Sequence, residues 1–184
     1  MNETLILKAA YFAAMKHRDQ RRKDHASSPY INHPIAVALT LAEIGQVDDC
    51  EVIAAALLHD TIEDTDTSPE ELEGKFGARV RQLVEEVTDD KNLMKMERKR
   101  RQIEHASQLS FGAALVKLGD KISNVTDIAN SPPSGWDLNR RLEYLDWAEA
   151  VISNCPKVNQ SLENRFAQAL DEGRAKLTSL ARSA

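Results

Sequence analysis

The chain has 184 residues, 42% hydrophobic and 29% charged, and its 29 acidic and 24 basic side chains give a net charge of −5. That balance excludes a global pull toward nucleic acid or anionic membrane. No apolar run approaches the roughly 20 residues needed to span a bilayer. A single domain over residues 1–184 is expected, long enough to bury about two thirds of its unfolded surface.

Leu5, Ala9, Phe12 and Ala13 recur at helical spacing and predict a first helix over about 4–16. The start, MNETLILKAAYFAAMKHR, lacks the basic-then-apolar order of a signal peptide. The polar stretch RDQRRKDHASSPY follows as a loop. Asn32-His33-Pro34 opens a second helix that ends at Gly45, proline suiting the first turn and glycine the position past the end. The apolar run VIAAALL places a third, buried helix over 49–62. Ser68-Pro69-Glu70-Glu71 is a capping box that starts a short helix, and ARVRQLVEEVT continues as another. Residues 95–108 read as a strongly basic helix and residues 112–129 as an apolar, periodic one. SPPSGWD breaks the chain before two last helices, over about 137–153 and 157–180. Strand and hairpin signals are nearly absent. The expected fold class is all-α. Cys50 and Cys155 have no CxxC spacing and read as a reduced, cytoplasmic pair.

At the end of the apolar third helix stands His59-Asp60, followed by Glu63 and Asp64. Residues four apart share a helix face, so His59 is expected beside Glu63 and Asp60 beside Asp64. A mixed nitrogen and oxygen set suits Mn, Fe or Zn better than Ca or Mg. Two ligands are too few for an ion. His33, whose following proline disfavours α geometry, and Asp120, with Asn124 one turn on, are the further candidates. A solvated face opposite Leu115, Leu118, Ile122 and Val125 is the competing account of Asp120 and Asn124. His17, His25 and His105 lie in polar surroundings and are assigned no function. No GxxxxGK[ST] motif is present, which argues against an ATPase.

Four stretches carry a resemblance: HP at 33–34, ALLHDTIEDT at 56–65, FGARVRQLVEEVTD at 76–89 and LVKLGDKISN at 115–124. Together they resemble the HD-superfamily hydrolase domain of RelA/SpoT proteins, over nearly the whole chain. RRKD, PYINHP and EYLDWA bring it closest to the stand-alone small alarmone hydrolases of the metazoan SpoT homologue type. The resemblance implies a single HD-type helical fold and Mn²⁺ held by His33, His59, Asp60 and Asp120. It implies that Glu63 and Asp64 activate the attacking water and relay its protons, and that Arg22, Lys23 and Asn124 contact substrate.

The implied substrate is guanosine 3′,5′-bis(diphosphate), ppGpp, or pppGpp, cleaved to GDP or GTP and diphosphate. Two alternatives stay open: another ribose-phosphate nucleotide such as NADPH, and a nucleotide-binding module without turnover. Arg22 offers a planar fork for phosphate and Lys23 a mobile charge. Lys95 is placed to reach the same phosphates, whereas Lys99, Arg100 and Arg101 read as a solvated basic face. Arg140 and Tyr144, one turn apart, are expected to flank the nucleotide. Gly119 stands where many relatives carry alanine, and glycine inside a helix costs roughly 1 kcal/mol, so a loosened ligand helix is expected. Thr126 replaces an arginine often found two residues past the asparagine. Oligomeric state is not legible.

Overall fold

The structure, a computed structural model, describes residues 2–183. Its helices are α1 (Glu3–Lys16), α2 (Asn32–Glu43), α3 (Cys50–Leu58), α4 (Thr61–Asp64), α5 (Pro69–Phe76) and α6 (Ala78–Val87). After α7 (Lys95–His105) comes a 3₁₀ turn at Ala106–Gln108, then α8 (Phe111–Asn130), α9 (Leu138–Asn154) and α10 (Gln160–Ser183). Among the described residues the only β-type pairing is one isolated bridge, Arg21 with Pro29. The all-α expectation holds.

Two helices form the centre. Every residue of α3 from Val52 to Leu58 is buried, and α1, α2, α6 and α8 pack around it. Helix α8 is buried along most of its length, with α2, α3, α6, α9 and α10 against it. The core runs from Ala9 and Ala13 on α1 to Leu162, Phe166 and Leu177 on α10. No helix is long and apolar enough to cross a membrane, among the described residues.

The helix ends follow the local chemistry of the sequence. Asp49 caps α3 by accepting from the Glu51 and Val52 amides, and Arg79 holds that carboxylate. Ser68 accepts from the Glu71 amide, with Pro69 opening α5. Gly77 closes α5 and opens α6 at φ +90°, a backbone conformation that side chains with a Cβ rarely adopt. Asp137 caps α9 through the Arg140 amide, ending the SPPSGWD break.

Three expectations are corrected. Helix α3 does not continue to residue 62 but stops at Leu58, and the chain turns at His59-Asp60 before the short α4. Side chains take carbonyls there: Thr61 Oγ1 donates to Leu58 O at 2.6 Å, and His59 Nδ1 lies 2.7 Å from Ala56 O. His33 is helical despite its following proline, because the first turn of α2 needs no amide from Pro34. Gly119 does not interrupt α8. A Cβ there would lie 3.0 Å from Leu41 Cδ2 and 3.2 Å from Val37 Cγ1, so the glycine lets α2 approach α8 closely.

Candidate active site

Because α2 and α3 both pack on α8, the start of α2 and the end of α3 meet over the middle of α8. That junction gathers His33, His59, Asp60 and Asp120. His33 Nε2 lies 3.2 Å from Asp120 Oδ1 and 3.7 Å from Asp60 Oδ2. His59 Nε2 lies 3.2 Å from Asp60 Oδ2 and 3.8 Å from Asp120 Oδ1. Donor atoms bound at about 2.1 Å from one cation stand roughly 3 Å or slightly more apart, and the donor atoms of His33, His59 and Asp60 all lie within 4.8 Å of one another. Asp120 is 8% exposed, so the solvated-face account of it fails.

The donors also have the right chemistry. A carbonyl oxygen only accepts, so His59 Nδ1 carries the proton toward Ala56 O. In the neutral ring Nε2 is then a lone pair, and it is a buried atom without a hydrogen-bond partner among the described residues. Burial opposes charge on this ring, but Asp60 and Asp120 outweigh it and push the His59 pKa up to about 10. Burial would neutralise Asp120 as well, yet Lys121 and the two histidines hold it well below the carboxylate range. The nest therefore draws in positive charge. His33, His59 and Asp60 fit a divalent metal ion.

Neighbours orient these ligands, as metal sites require. Tyr30 donates its hydroxyl to Asp60 Oδ2 at 2.6 Å, and Ser123 Oγ lies 3.2 Å from His33 Nδ1. Lys121 Nζ donates to Asp120 Oδ2 at 2.8 Å and lies 4.7 Å from the centre of the Trp147 ring. Asn124 Nδ2 donates to Asp120 Oδ1 at 2.5 Å.

Glu63 and Asp64 end α4 beside this nest. Burial first, then the Asp89 and Asp60 carboxylates, raise the Glu63 pKa to about 7. Asp64 accepts from Gln20 Nε2 at 2.9 Å and pairs with Lys91. The break after α3 parts the two acids: Asp64 meets Gln20 in the loop between α1 and α2, while Glu63 accepts from the Asp89 amide at 3.3 Å and lies 3.6 Å from Arg98 on α7.

Two cavities open alongside. One, of about 340 Å³, is lined by Arg22, Lys23, Asp64, Asn124, Trp136 and Tyr144 among others. The second, of about 580 Å³, shares Trp136 and Tyr144 with it and adds Lys95, Lys99, Arg140 and Trp147. Arg22 Nη2 donates to Asp127 Oδ2 at 2.6 Å. Arg140 stacks at 4.3 Å on the Trp136 ring and Lys95 lies at 5.8 Å from it. Among the described residues neither Lys95, Lys99 nor Arg140 sits in an ion pair. Their charges stand over aromatic faces and lack carboxylate partners.

Against this geometry, a sequence profile described as the HD domain matches residues 9–145. The chain belongs to the HD-domain family. This HD protein is 53% identical to the mouse guanosine-3′,5′-bis(diphosphate) 3′-pyrophosphohydrolase MESH1, over 91% of the chain and 93% of that relative. The human protein of the same name is 54% identical over 86% of the chain and 88% of its own length. A solved structure described as a metazoan ortholog of SpoT that hydrolyzes ppGpp superposes with a TM-score of 0.89 at 45% identity, covering 91% of this chain and 94% of that one.

The HD chain thus brings all four ligand candidates together and places the six substrate candidates on the cavity walls. One sequence reading is corrected. Lys99 is not on a solvated face: it lies 4.9 Å from the Trp147 ring and 5.9 Å from that of Tyr144, and burial first, then Lys95, depresses its pKa. Arg100 does face solvent, paired with Glu97 and Glu104. His17 is buried, at 2% exposed, beside Gln20 and the Tyr30 ring. Tyr30, Lys121, Trp136 and Trp147 were missed. Trp147 was findable, since Arg140, Tyr144 and Trp147 follow the four-then-three spacing of one helix face. Tyr30 gave no such signal.

Proposed function

We propose that this HD protein is a metal-dependent hydrolase that removes the 3′-diphosphate of ppGpp or pppGpp, giving GDP or GTP and diphosphate, with Mn²⁺ as its ion. The chain acts as one unit over 1–184, in the cytoplasm. The observation that carries the reading is the buried Nε2 of His59, without a hydrogen-bond partner among the described residues, which faces Asp60 at 3.2 Å and Asp120 at 3.8 Å while the His33 ring centre lies 5.2 Å from its own. Whole-chain identity above one half to relatives named for this activity selects the substrate.

His33, His59, Asp60 and Asp120 would hold the ion, which supplies Lewis acidity toward the phosphoryl oxygen and the attacking water. Glu63, with its pKa near 7, is poised to take the water's proton. Asp64, tied to Gln20 and Lys91, stays in place to orient that water. As the ester opens, O3′ leaves as the hydroxyl after taking up a proton and diphosphate departs. Arg22 and Lys23 meet the 3′-diphosphate, with Lys95 placed to reach the same phosphates and Arg140 set beside the nucleotide in the second cavity. Asn124 steadies Asp120 and faces the cavity, and Tyr144 flanks the nucleoside.

The test is diphosphate release from ppGpp by the purified protein with Mn²⁺, beside a panel that includes NADPH. Release from ppGpp that His59→Ala and Asp60→Ala abolish, with the fold intact, supports the reading. Turnover of another nucleotide alone sinks the substrate assignment, and no turnover at all leaves a binding module.

A further inference from the structure

His17 follows α1, and its ring is closed off from solvent at 2% exposure. Its Nδ1 lies 2.6 Å from Gln20 Oε1, and the other end of that amide, Nε2, lies 2.9 Å from Asp64 Oδ2. The proton positions along this chain follow from what each group can do. A carboxylate only accepts, so the amide end facing Asp64 is the NH₂. The opposite end is then the carbonyl, which also only accepts, so His17 Nδ1 carries the hydrogen. His17 Nε2 is buried and has no partner among the described residues, so nothing competes for the ring from its far side.

The same loop root is tied to the metal nest. Tyr30 donates its amide to Gln20 O at 3.1 Å, its ring centre is 4.9 Å from that of His17, and its hydroxyl reaches Asp60. The backbone between Gln20 and Tyr30 carries Arg22 and Lys23 and is closed by the Arg21–Pro29 bridge. One buried imidazole thus sits beneath the catalytic acid and beneath the loop that offers cations to substrate.

We propose that His17 and Gln20 are positioning residues for the hydrolysis, with His17 fixing which end of the Gln20 amide faces Asp64. Without that bond the amide is free to turn over and set its oxygen against the carboxylate, two acceptors across the gap a hydrogen bond now spans. Asp64 would then keep only Lys91, whose side chain is 50% exposed and is a weaker, solvent-screened tether. The effect falls on turnover, because His17 lines neither substrate cavity and touches no ligand of the nest. The proposal rests on the hydrolase reading above.

Two His17 variants separate positioning from packing. His17→Asn returns an N–H close to the place of Nδ1 but loses the ring. His17→Phe keeps an aromatic ring against Tyr30 but cannot donate. Steady-state kinetics on ppGpp with Mn²⁺ are expected to show kcat down about 10- to 100-fold for His17→Phe, the usual loss for an outer partner of a catalytic group. KM and the Mn²⁺ titration midpoint should stay within about twofold, and His17→Asn should recover to within about threefold of wild type. The reverse order, Phe active and Asn impaired, means packing alone and overturns the proposal.

A second arm needs no substrate. Imidazole ¹⁵N spectra of the wild-type protein should show His17 as the Nδ1–H tautomer, and Gln20→Leu should disturb that resonance. An Nε2–H tautomer overturns the relay. A protein inert toward ppGpp but with the Nδ1–H tautomer in place sinks only the substrate reading and supports the hydrogen-bonded relay.

Discussion

The metal nest and the groove beside it neutralise charge in opposite ways. In the nest each carboxylate is surrounded by donors from distant parts of the chain: Tyr30 and two histidines at Asp60, Lys121, Asn124 and the same histidines at Asp120. In the groove Lys95, Lys99 and Arg140 rest on Trp136, Tyr144 and Trp147. A buried acid pair without compensation costs several kcal/mol, so the nest is locked before any substrate arrives. Cations on aromatic faces at the surface repel one another only mildly in water, so the groove keeps its charge for a phosphate. On the proposed reading the nest sets the chemistry and the groove the affinity.

The largest break in this contrast is His59→Ala. It removes one ligand from a closed set and leaves the groove untouched. Diphosphate release is expected to fall at least about 1,000-fold, the few kcal/mol that a catalytic metal supplies. KM of any residual activity should change little. Elemental analysis of the purified variant should find less than one tenth of the wild-type metal content.

The ion itself sharpens the comparison from the stability side. Mn²⁺ at 100 times its Kd should stabilise the fold by about 2.7 kcal/mol, which for a chain of this size is a rise in Tm of roughly 5–10 °C. Thermal melts with Mn²⁺ and with a chelator measure it. His59→Ala should show no such rise, whereas Arg140→Ala should show all of it.

Legibility in the sequence divides along the same line. The nest was readable because its residues stand in short motifs, His33-Pro34, His59-Asp60 and Asp120 through Asn124, carried by helices whose apolar periodicity is plain. What the motifs could not tell is that α3 stops at Leu58. That stop depends on Thr61 and His59 bonding back to carbonyls, a local competition that hydrophobic spacing does not register. The groove was only half readable. Arg140 and Tyr144 could be paired by spacing, but Lys99 could not be told from Arg100, since both sit in one basic run. Their fates part by about 100° of helix rotation, which sends one toward Trp147 on α9 and the other into water. Tyr30 was invisible for a similar reason, since its partner Asp60 lies across the fold from a loop without a repeating pattern; His17 bonds Gln20 only three residues on, but nothing in the local sequence marks its ring as buried.

Glu63 stands on the border of the two regions and gives a pH-dependent test in the metal-free protein. Its folded-state pKa is about 7 against an ordinary 4.5, raised by burial and by the carboxylates around it. Below pH 4.5 it is protonated both folded and unfolded, and adds nothing. As pH rises toward 7 the unfolded chain loses this proton while the folded chain keeps it, so stability declines. Above 7 both are ionised and the full penalty stands. Glu63→Gln removes the penalty. Denaturant melts in a chelator should find the variant more stable than wild type by about 2 kcal/mol at pH 8 and equal to it at pH 4.

The smallest effects come from the groove, and their ranking tests whether its cations act as a set. Arg140→Ala removes a guanidinium stacked on Trp136 and should raise KM about tenfold with kcat within twofold, the worth of one charge-assisted phosphate contact. Lys99→Ala should raise KM only about threefold, since burial and Lys95 already disfavour its charge. If each cation acted alone, the double variant would lose about thirtyfold. Because Lys95 and Arg140 both depress the Lys99 pKa, removing Arg140 lets Lys99 hold its charge more firmly and partly compensate. The double variant should therefore lose more than thirtyfold, with the excess shrinking as salt screens the repulsion. Strict additivity at low salt would show that Lys99 and Arg140 do not sense one another and act as separate contacts.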